Sequence, residues 1–492
     1  MRFLFIPLLL LHFVAACDDS SGNANNTNNV NNANNVNNAN NVNNVNNTNN
    51  VNNVNNVNNV NNGTCVPLPA GGFHVTVDGS PDGDGSSGAP WDLATAWVQP
   101  AAVVPGSTIW IHGGVYTGAF ASTLTGEAGA PIFVRVWPGE TAVIDGASAE
   151  EDTVTLEGAW TEYHDLEVTN SNPARTGGRP GTTVNGPNLK LVNWRVHDTG
   201  GGGYWTGAVD LEVYGSLIYN NGYDDDDRAH GHGVYSQNLT GTKTFEDNVV
   251  FSNYSFGFHV YTEGGSIEGF ELIGNVWFLS GRAAAGTDTL KDNCLIGGLQ
   301  PASRIILREN LGWAPGPTHR GVQFGYSYEP NGDLTLTDNY LSGVTNFSRP
   351  WTTLTLTGNT FLGDVTGVDL ADFPGNTHVT EQPAENHVFV RPNRHEPGRA
   401  HVAVYNWTFV DTQDVDLSDV LAVGDAYEIR DVQNWDAGPV VSGTYDGAPV
   451  TLPLTGLIPA QPVGVPDAID ASERTDRFFN VFVVRRLVNW CE

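Results

Sequence analysis

Short runs of alternating apolar and polar residues recur along most of the chain. The clearest are GVYSQN at 233–238 and GFHVYTE at 257–263, which lie 24 residues apart. Strand ends that contain Asn or closely follow one recur as well: RVHDTG at 195, LIYNNG at 217, VVFSNY at 249, VWFLSG at 276, NLGWAPG at 310, NYLSG at 339 and NTFLGD at 359. Gaps of about 20–35 residues suit successive coils of a parallel β-solenoid, in which each unit buries its apolar side only against neighbouring copies. Asn at such turns is expected to build internal ladders, with Asn220, Asn253 and Asn275 as the candidates.

Side chains alternate along a strand, and stacked strands sit about 4.8 Å apart. If Val234, Phe258 and Val260 point inward, Tyr235, Gln237, His259 and Tyr261 point outward on one face. Carried onward, the count gives one outward column of Tyr235, His259, Leu295 and Gln323, joined upstream by Trp205. A second column holds Gln237, Tyr261, Gly297 and Gly325. His230 and His232 enter from the preceding turn. An exposed row of Trp, Tyr, His and Gln suits sugar rings, which stack on aromatics and hydrogen-bond to polar tips.

The segments flanking the solenoid read differently. MRFLFIPLLLLHFVAAC has a basic start, an apolar run and small residues before Cys17, the form of an export signal. It resembles the lipobox of bacterial lipoproteins, which implies lipidation of Cys17 and an exported, membrane-anchored protein at the outer membrane or cell surface. Residues 25–60 are NNV, NNA and NNT triplets, too polar to bury a core, and read as a tether. Around Pro383 the pattern changes to alternating strands at wider spacing, as in HVFVRPN and NVFVVRRLV, which suggests a small antiparallel β-sandwich. The expected organisation is a signal at 1–17, a tether at 18–64, a β-helix at 65–382 and the sandwich at 383–492. Cys65 and Cys491 bracket the folded part and can pair in an oxidising compartment, whereas Cys294 reads as a small core residue. A short amphipathic helix around Asp92 to Val98 is expected to cap the open end of the solenoid.

The order DGSPDGDGSSGAPWDLATAW, PGSTIWIHGGVYTG, APIFVRVWPGETAVIDG resembles the opening of bacterial right-handed parallel β-helix proteins of the pectate-lyase-like superfamily. The resemblance covers roughly 73–365. It implies an all-β, right-handed parallel β-helix but fixes no particular reaction.

Acidic residues number 54 against 22 basic ones, for a net charge of −32, which argues against nucleic acid as a partner. Twelve of those basic residues lie between Arg175 and Arg349, so an acidic polysaccharide remains a suitable partner. For β-elimination on a uronate, His259 or His232 can serve as base and Tyr235 or Tyr261 as acid, with Arg228, Lys291 and Arg320 as cations. Trp205, Gln237, Gln323, Arg320 and His230 would bind substrate. Lyases of the superfamily often use Lys or Arg as base together with Ca²⁺, and the richness in His and Tyr departs from that. Asp224, Asp226 and Asp227 are candidate Ca²⁺ ligands, being clustered oxygen donors. A glycoside hydrolase would instead need a carboxylate pair, from Asp210, Asp226, Asp227, Glu246 or Glu263. A tethered, non-catalytic glycan binder is the third reading.

Overall fold

The structure is a computed structural model. It describes residues 65–491 apart from 148–150, 174, 176–177, 225–228, 282–290, 466–474 and 476. Cys17, the Asn-rich segment, Asp226, Asp227 and Arg228 lie outside the described residues.

Every coil needs one sharp corner, and one residue per coil supplies it by adopting positive φ. The corner residues are Asp165, Asn193, Gly215, Asp247, Gly274, Glu309, Asp338 and Gly358, all with φ between 54° and 70°. Asp, Asn and Gly tolerate this left-handed conformation best; Glu309 is the exception. Among the described residues the coils contribute strands to three parallel sheets of 11, 10 and 11 strands. Each strand pairs with its equivalent one coil away, as Val234–Ser236 does with Tyr204–Thr206 and with Phe258–Val260.

Directly after the corner stands a buried Asn ladder. Asn248, Asn275, Asn310, Asn339 and Asn359 each pass a side-chain amide to the next side-chain oxygen, ending at Asn376, at 2.8–3.0 Å. A second, shorter pairing joins Asn221 to Asn253 at 3.0 Å. Asn253 and Asn275 are therefore ladder residues as expected. Asn220 is not: it takes φ 55° at a turn, and its neighbour Asn221 fills the ladder place.

The short helix α1, Leu93–Trp97, closes the open end. Asp92 caps it by accepting from the Thr95 N–H at 2.7 Å. Leu93, Ala96 and Trp97 are buried, and Trp97 meets Phe120 and Tyr163 edge-on.

Beyond the solenoid, a five-stranded antiparallel sheet and a two-stranded one enclose their own apolar cluster. This part packs along the solenoid's flank, with Ala403, Tyr405, Phe479 and Val481 against Tyr219, Phe251 and Phe278. The last three stack in parallel, with centroids 4.8 and 4.9 Å apart. Arg195 to Asp436 and Arg391 to Asp247 add ion pairs across the same boundary. Cys65 and Cys491 form a disulfide, beside the parallel pairing of Val66–Pro67 with Trp490–Cys491. Cys294 is buried and unpaired, as expected.

Candidate active site

Five strands of the ten-stranded sheet build the site: β1 (Tyr204–Thr206), β2 (Val234–Ser236), β3 (Phe258–Val260), β4 (Cys294–Ile296) and β5 (Arg320–Phe324). Across them Trp205, Tyr235, His259, Leu295 and Gln323 pair in register, the column expected from alternation. Exposure along it is uneven, and here the expected open row is corrected. Trp205 is 43% exposed, but His259 is only 8% and Leu295 1% exposed. His259 is covered because rings crowd it from three sides. Phe256 stacks on it at 4.5 Å, Tyr261 at 4.7 Å, and His232 lies at 4.1 Å between centroids. Tyr235 meets it edge-on at 5.3 Å and lies parallel to Trp205 at 6.4 Å.

The hydrogen bonds fix the histidine tautomers. The Phe256 backbone N–H donates to His232 Nδ1 at 3.3 Å, so the neutral His232 ring carries its proton on Nε2. That proton faces His259 Nδ1 at 3.1 Å, which makes His259 Nδ1 an acceptor and places the His259 proton on Nε2. A donor chain thus runs from the backbone through two rings. Burial raises the Tyr235 phenol above its usual range; a hydrogen bond from Gln237 opposes this and the charge of Glu263 adds to it.

Around this core, the second column provides a floor. A Cβ on Gly297 would lie 2.7 Å from the Gly325 Cα, so both positions must stay bare. Tyr326 stands over this floor, edge-on to Tyr261 at 5.5 Å and 44% exposed.

One residue expected at the site is placed elsewhere. Gly231, at φ 77°, breaks the alternation between the two histidines. His230 consequently stacks on Tyr223 at 4.8 Å within a two-stranded hairpin, while His232 joins His259. Gln323 turns its amide back to the Gly325 carbonyl at 3.0 Å. Lys291 and Arg320 lie at the start of the coil bearing β4 and at the start of β5. Of the candidate Ca²⁺ ligands only Asp224 falls within the described residues, opposite Ala229 in that hairpin. Among the described residues no three His, Cys, Asp or Glu side chains converge as a metal site.

Of the hydrolase candidates, Asp226 and Asp227 lie outside the described residues. Asp210 accepts from the Thr242 N–H at a corner, at 2.9 Å, and Glu246 is held by Arg394 from the C-terminal part.

Asp292 was not singled out from the sequence, yet the signal was there. Residues 232, 256 and 292 each stand two places before residues that pair in register (234, 258 and 294), so they hold equivalent places on successive coils. Asp292 is buried beside Arg320, 3.6 Å away, and the Arg320 side chain is itself largely exposed. Burial pushes the Asp292 carboxyl up to about 6, against the pull of Arg320 and Lys291. An unfolded aspartate titrates near 3.9, so folding takes up a proton between about pH 4 and 6. Stability is then highest below that window and falls as pH rises through it. Asp292→Asn, uncharged throughout, is expected to be more stable than the parent near neutral pH by about 1–3 kcal/mol and no more stable near pH 4. Urea unfolding at both pH values checks this; an equal change at both would show that the carboxylate carries no burial penalty.

The family described as "Pel9A-like, right handed beta helix region" matches residues 73–293. Over that stretch the fold is a right-handed parallel β-helix. Pectate lyase PEL9 of Emericella nidulans is 31% identical over 118 residues, 20% of this chain and 28% of that protein. The chain therefore spans little more than a quarter of that relative's length. Among solved structures, "Crystal structure of pectate lyase Pel9A" aligns at a TM-score of 0.48 and 18% identity, covering 64% of this chain and 84% of that one. "Rhamnogalacturonan lyase" aligns at a TM-score of 0.47 and 16% identity, covering 64% and 90%.

Proposed function

We propose that the β1–β5 face is the active site of a polysaccharide lyase that cleaves uronate-containing glycans by β-elimination. The observation that carries this reading is the donor chain from the Phe256 N–H through His232 to His259, set among Tyr235 and Tyr261 on a face bearing Arg320. The match to the Pel9A-like β-helix family and the name of the Emericella nidulans relative support it.

In β-elimination a base removes the proton next to the carboxylate, the bond to the leaving sugar oxygen breaks, and that oxygen takes a proton. A cation stabilises the charge that builds up on the carboxylate. His259, with its proton on Nε2, suits a hydrogen bond to the leaving oxygen better than proton abstraction, and the proton that oxygen finally takes comes from solvent. This reverses the order of roles expected from the sequence. Burial holds the Tyr235 phenol above its usual range, and Tyr261 and Lys291 are candidates for the base. Arg320, exposed and braced by Asp292, suits the substrate carboxylate. Trp205 and Tyr326 extend the aromatic surface to either side. Ca²⁺, if bound by Asp224, Asp226 and Asp227, would supply positive charge toward an acidic substrate. Lipidation at Cys17 and the Asn-rich tether would hold this site at a membrane surface.

The test is to incubate the protein with pectate, rhamnogalacturonan and alginate. One channel follows the ultraviolet absorbance of unsaturated uronate ends, and a second follows new reducing ends. Rising absorbance supports elimination; reducing ends without absorbance would mean hydrolysis. Silence in both would leave a binder. Trp205→Ala, remote from the histidines, is expected to raise KM several-fold with little change in kcat. A loss confined to kcat would remove Trp205 from substrate binding.

A further inference from the structure

A second cleft lies between the last coils of the solenoid and the C-terminal sheets, with a volume of about 410 Å³. Binding pockets for small ligands typically measure roughly 300–1,000 Å³. Its walls include Trp407, Phe409 and Phe478 on one side and Asp364, His378 and Glu381 on the other.

The aromatic wall is held in place by the fold. Phe409 sits at φ 58°, a conformation uncommon for any residue but Gly and rare for a bulky one. The buried Asn406 holds it there. Its amide donates to the Val410 carbonyl at 2.7 Å and to the Arg477 carbonyl at 2.8 Å, and its side-chain oxygen accepts from the Val410 N–H at 3.1 Å. The same bonds bring the neighbouring segment alongside, so that Phe409 and Phe478 meet edge-on at 5.3 Å. Both rings stay substantially exposed, at 38% and 43%. Trp407 is fixed by donating its indole N–H to the Tyr340 hydroxyl at 3.1 Å. The fold therefore spends an unfavourable backbone conformation to keep two aromatic faces open to the cleft.

The opposite wall selects among sugars. Asp364 and Glu381 are acceptors for hydroxyl groups, and His378 donates its Nε2–H to the Gly363 carbonyl at 2.9 Å, which leaves Nδ1 as an acceptor. Among the described residues no Lys or Arg lines the cleft. A uronate carboxylate would meet two like charges and, among those residues, no cation. An uncharged sugar offers hydroxyl donors to these acceptors and ring faces to the aromatics.

We propose that this cleft is a second glycan site, one that takes uncharged sugars. It would grip a neutral stretch or side chain of a polysaccharide whose acidic part lies elsewhere. The inference does not depend on the chemistry proposed for the Tyr235 face.

The test is calorimetric titration of the purified full chain with galactotetraose, arabinotetraose, xylotetraose and tetragalacturonate, read in parallel by tryptophan fluorescence. At least one neutral tetrasaccharide is expected to bind. Phe409→Ala and Phe478→Leu are each expected to weaken that binding about tenfold. Phe478→Leu keeps an apolar side chain and serves if Phe409→Ala does not fold. His259→Ala is expected to leave the neutral-sugar binding as it was, so a failure of the lyase reading and a failure of this one are told apart. The proposal is overturned if no neutral tetrasaccharide binds, or if binding survives both aromatic substitutions. It is equally overturned if binding is lost with His259→Ala, or if tetragalacturonate binds as tightly through Phe409 and Phe478.

Discussion

His259→Ala is expected to lower kcat/KM on a uronate polymer by roughly a hundredfold to ten-thousandfold, the usual contribution of one positioned proton donor. Melting temperature should change little by comparison, since the ring packs on other rings and not into the solenoid core. His232 acts through His259 as a positioning residue. Its proton on Nε2 keeps His259 Nδ1 an acceptor, and so keeps the His259 proton on the nitrogen proposed to serve the leaving oxygen. His232→Ala is therefore expected to cause a smaller loss and to change the shape of the pH–rate profile, because either nitrogen of His259 can then carry the proton. His232→Gln, whose amide can still donate to Nδ1, should restore part of the activity. Equal losses for His232→Ala and His232→Gln with an unchanged pH profile would mean that His232 matters only for packing. Full activity in His259→Ala would remove it from the proposed mechanism.

The second large effect is on stability. Asn275 is wholly buried, and five hydrogen bonds meet at it. It accepts from the Asn248 backbone N–H and side-chain amide at 3.0 and 2.9 Å. Its own backbone N–H and side-chain amide donate to Asn310 Oδ1, both at 3.0 Å, and the amide also reaches the Phe245 carbonyl at 2.8 Å. Asn275→Ala leaves the Asn248 N–H and the Phe245 carbonyl without partners in a site closed to water. At about 1–3 kcal/mol for each such orphan, the expected loss is about 3–5 kcal/mol. Asn376, at the end of the same ladder, is only half-buried. There water can replace the lost partners, and Asn376→Ala is expected to lose about 1 kcal/mol. Urea unfolding of both variants checks the contrast. Equal losses would show that ladder position, and with it burial, does not set the cost.

The sequence made some of this legible for a definite reason. In a parallel solenoid, alternation fixes which way each side chain points, and stacking fixes its neighbour. That was enough to place Trp205, Tyr235, His259, Leu295 and Gln323 in one column. It was not enough to say which of them faces solvent, because the rings that cover His259 come from turns and neighbouring positions that alternation does not describe. His230 was misplaced because Gly231, free to take positive φ, resets the alternation between the two histidines. The lateral docking of the C-terminal sheet had a readable sign that went unused. LIY, VVF and VWF at 217, 249 and 276 are apolar at every position, as strands covered on both faces are. The solenoid interior accounts for only one face of them. The cleft beside Phe409 left no sequence pattern at all, since it arises only where the solenoid and the C-terminal sheets meet.

The disulfide between Cys65 and Cys491 has a mechanical consequence. A pull transmitted through the residues before Cys65 does not act on the first coil alone. At Cys65 the load divides, one branch entering the solenoid and the other passing to Cys491 and on into Phe479–Arg486, a central strand of the C-terminal sheet. That sheet is cemented along the solenoid's flank by the Tyr219, Phe251 and Phe278 stack. Tension is thereby carried as shear over a broad interface, and peeling of the coils one at a time from the end is avoided.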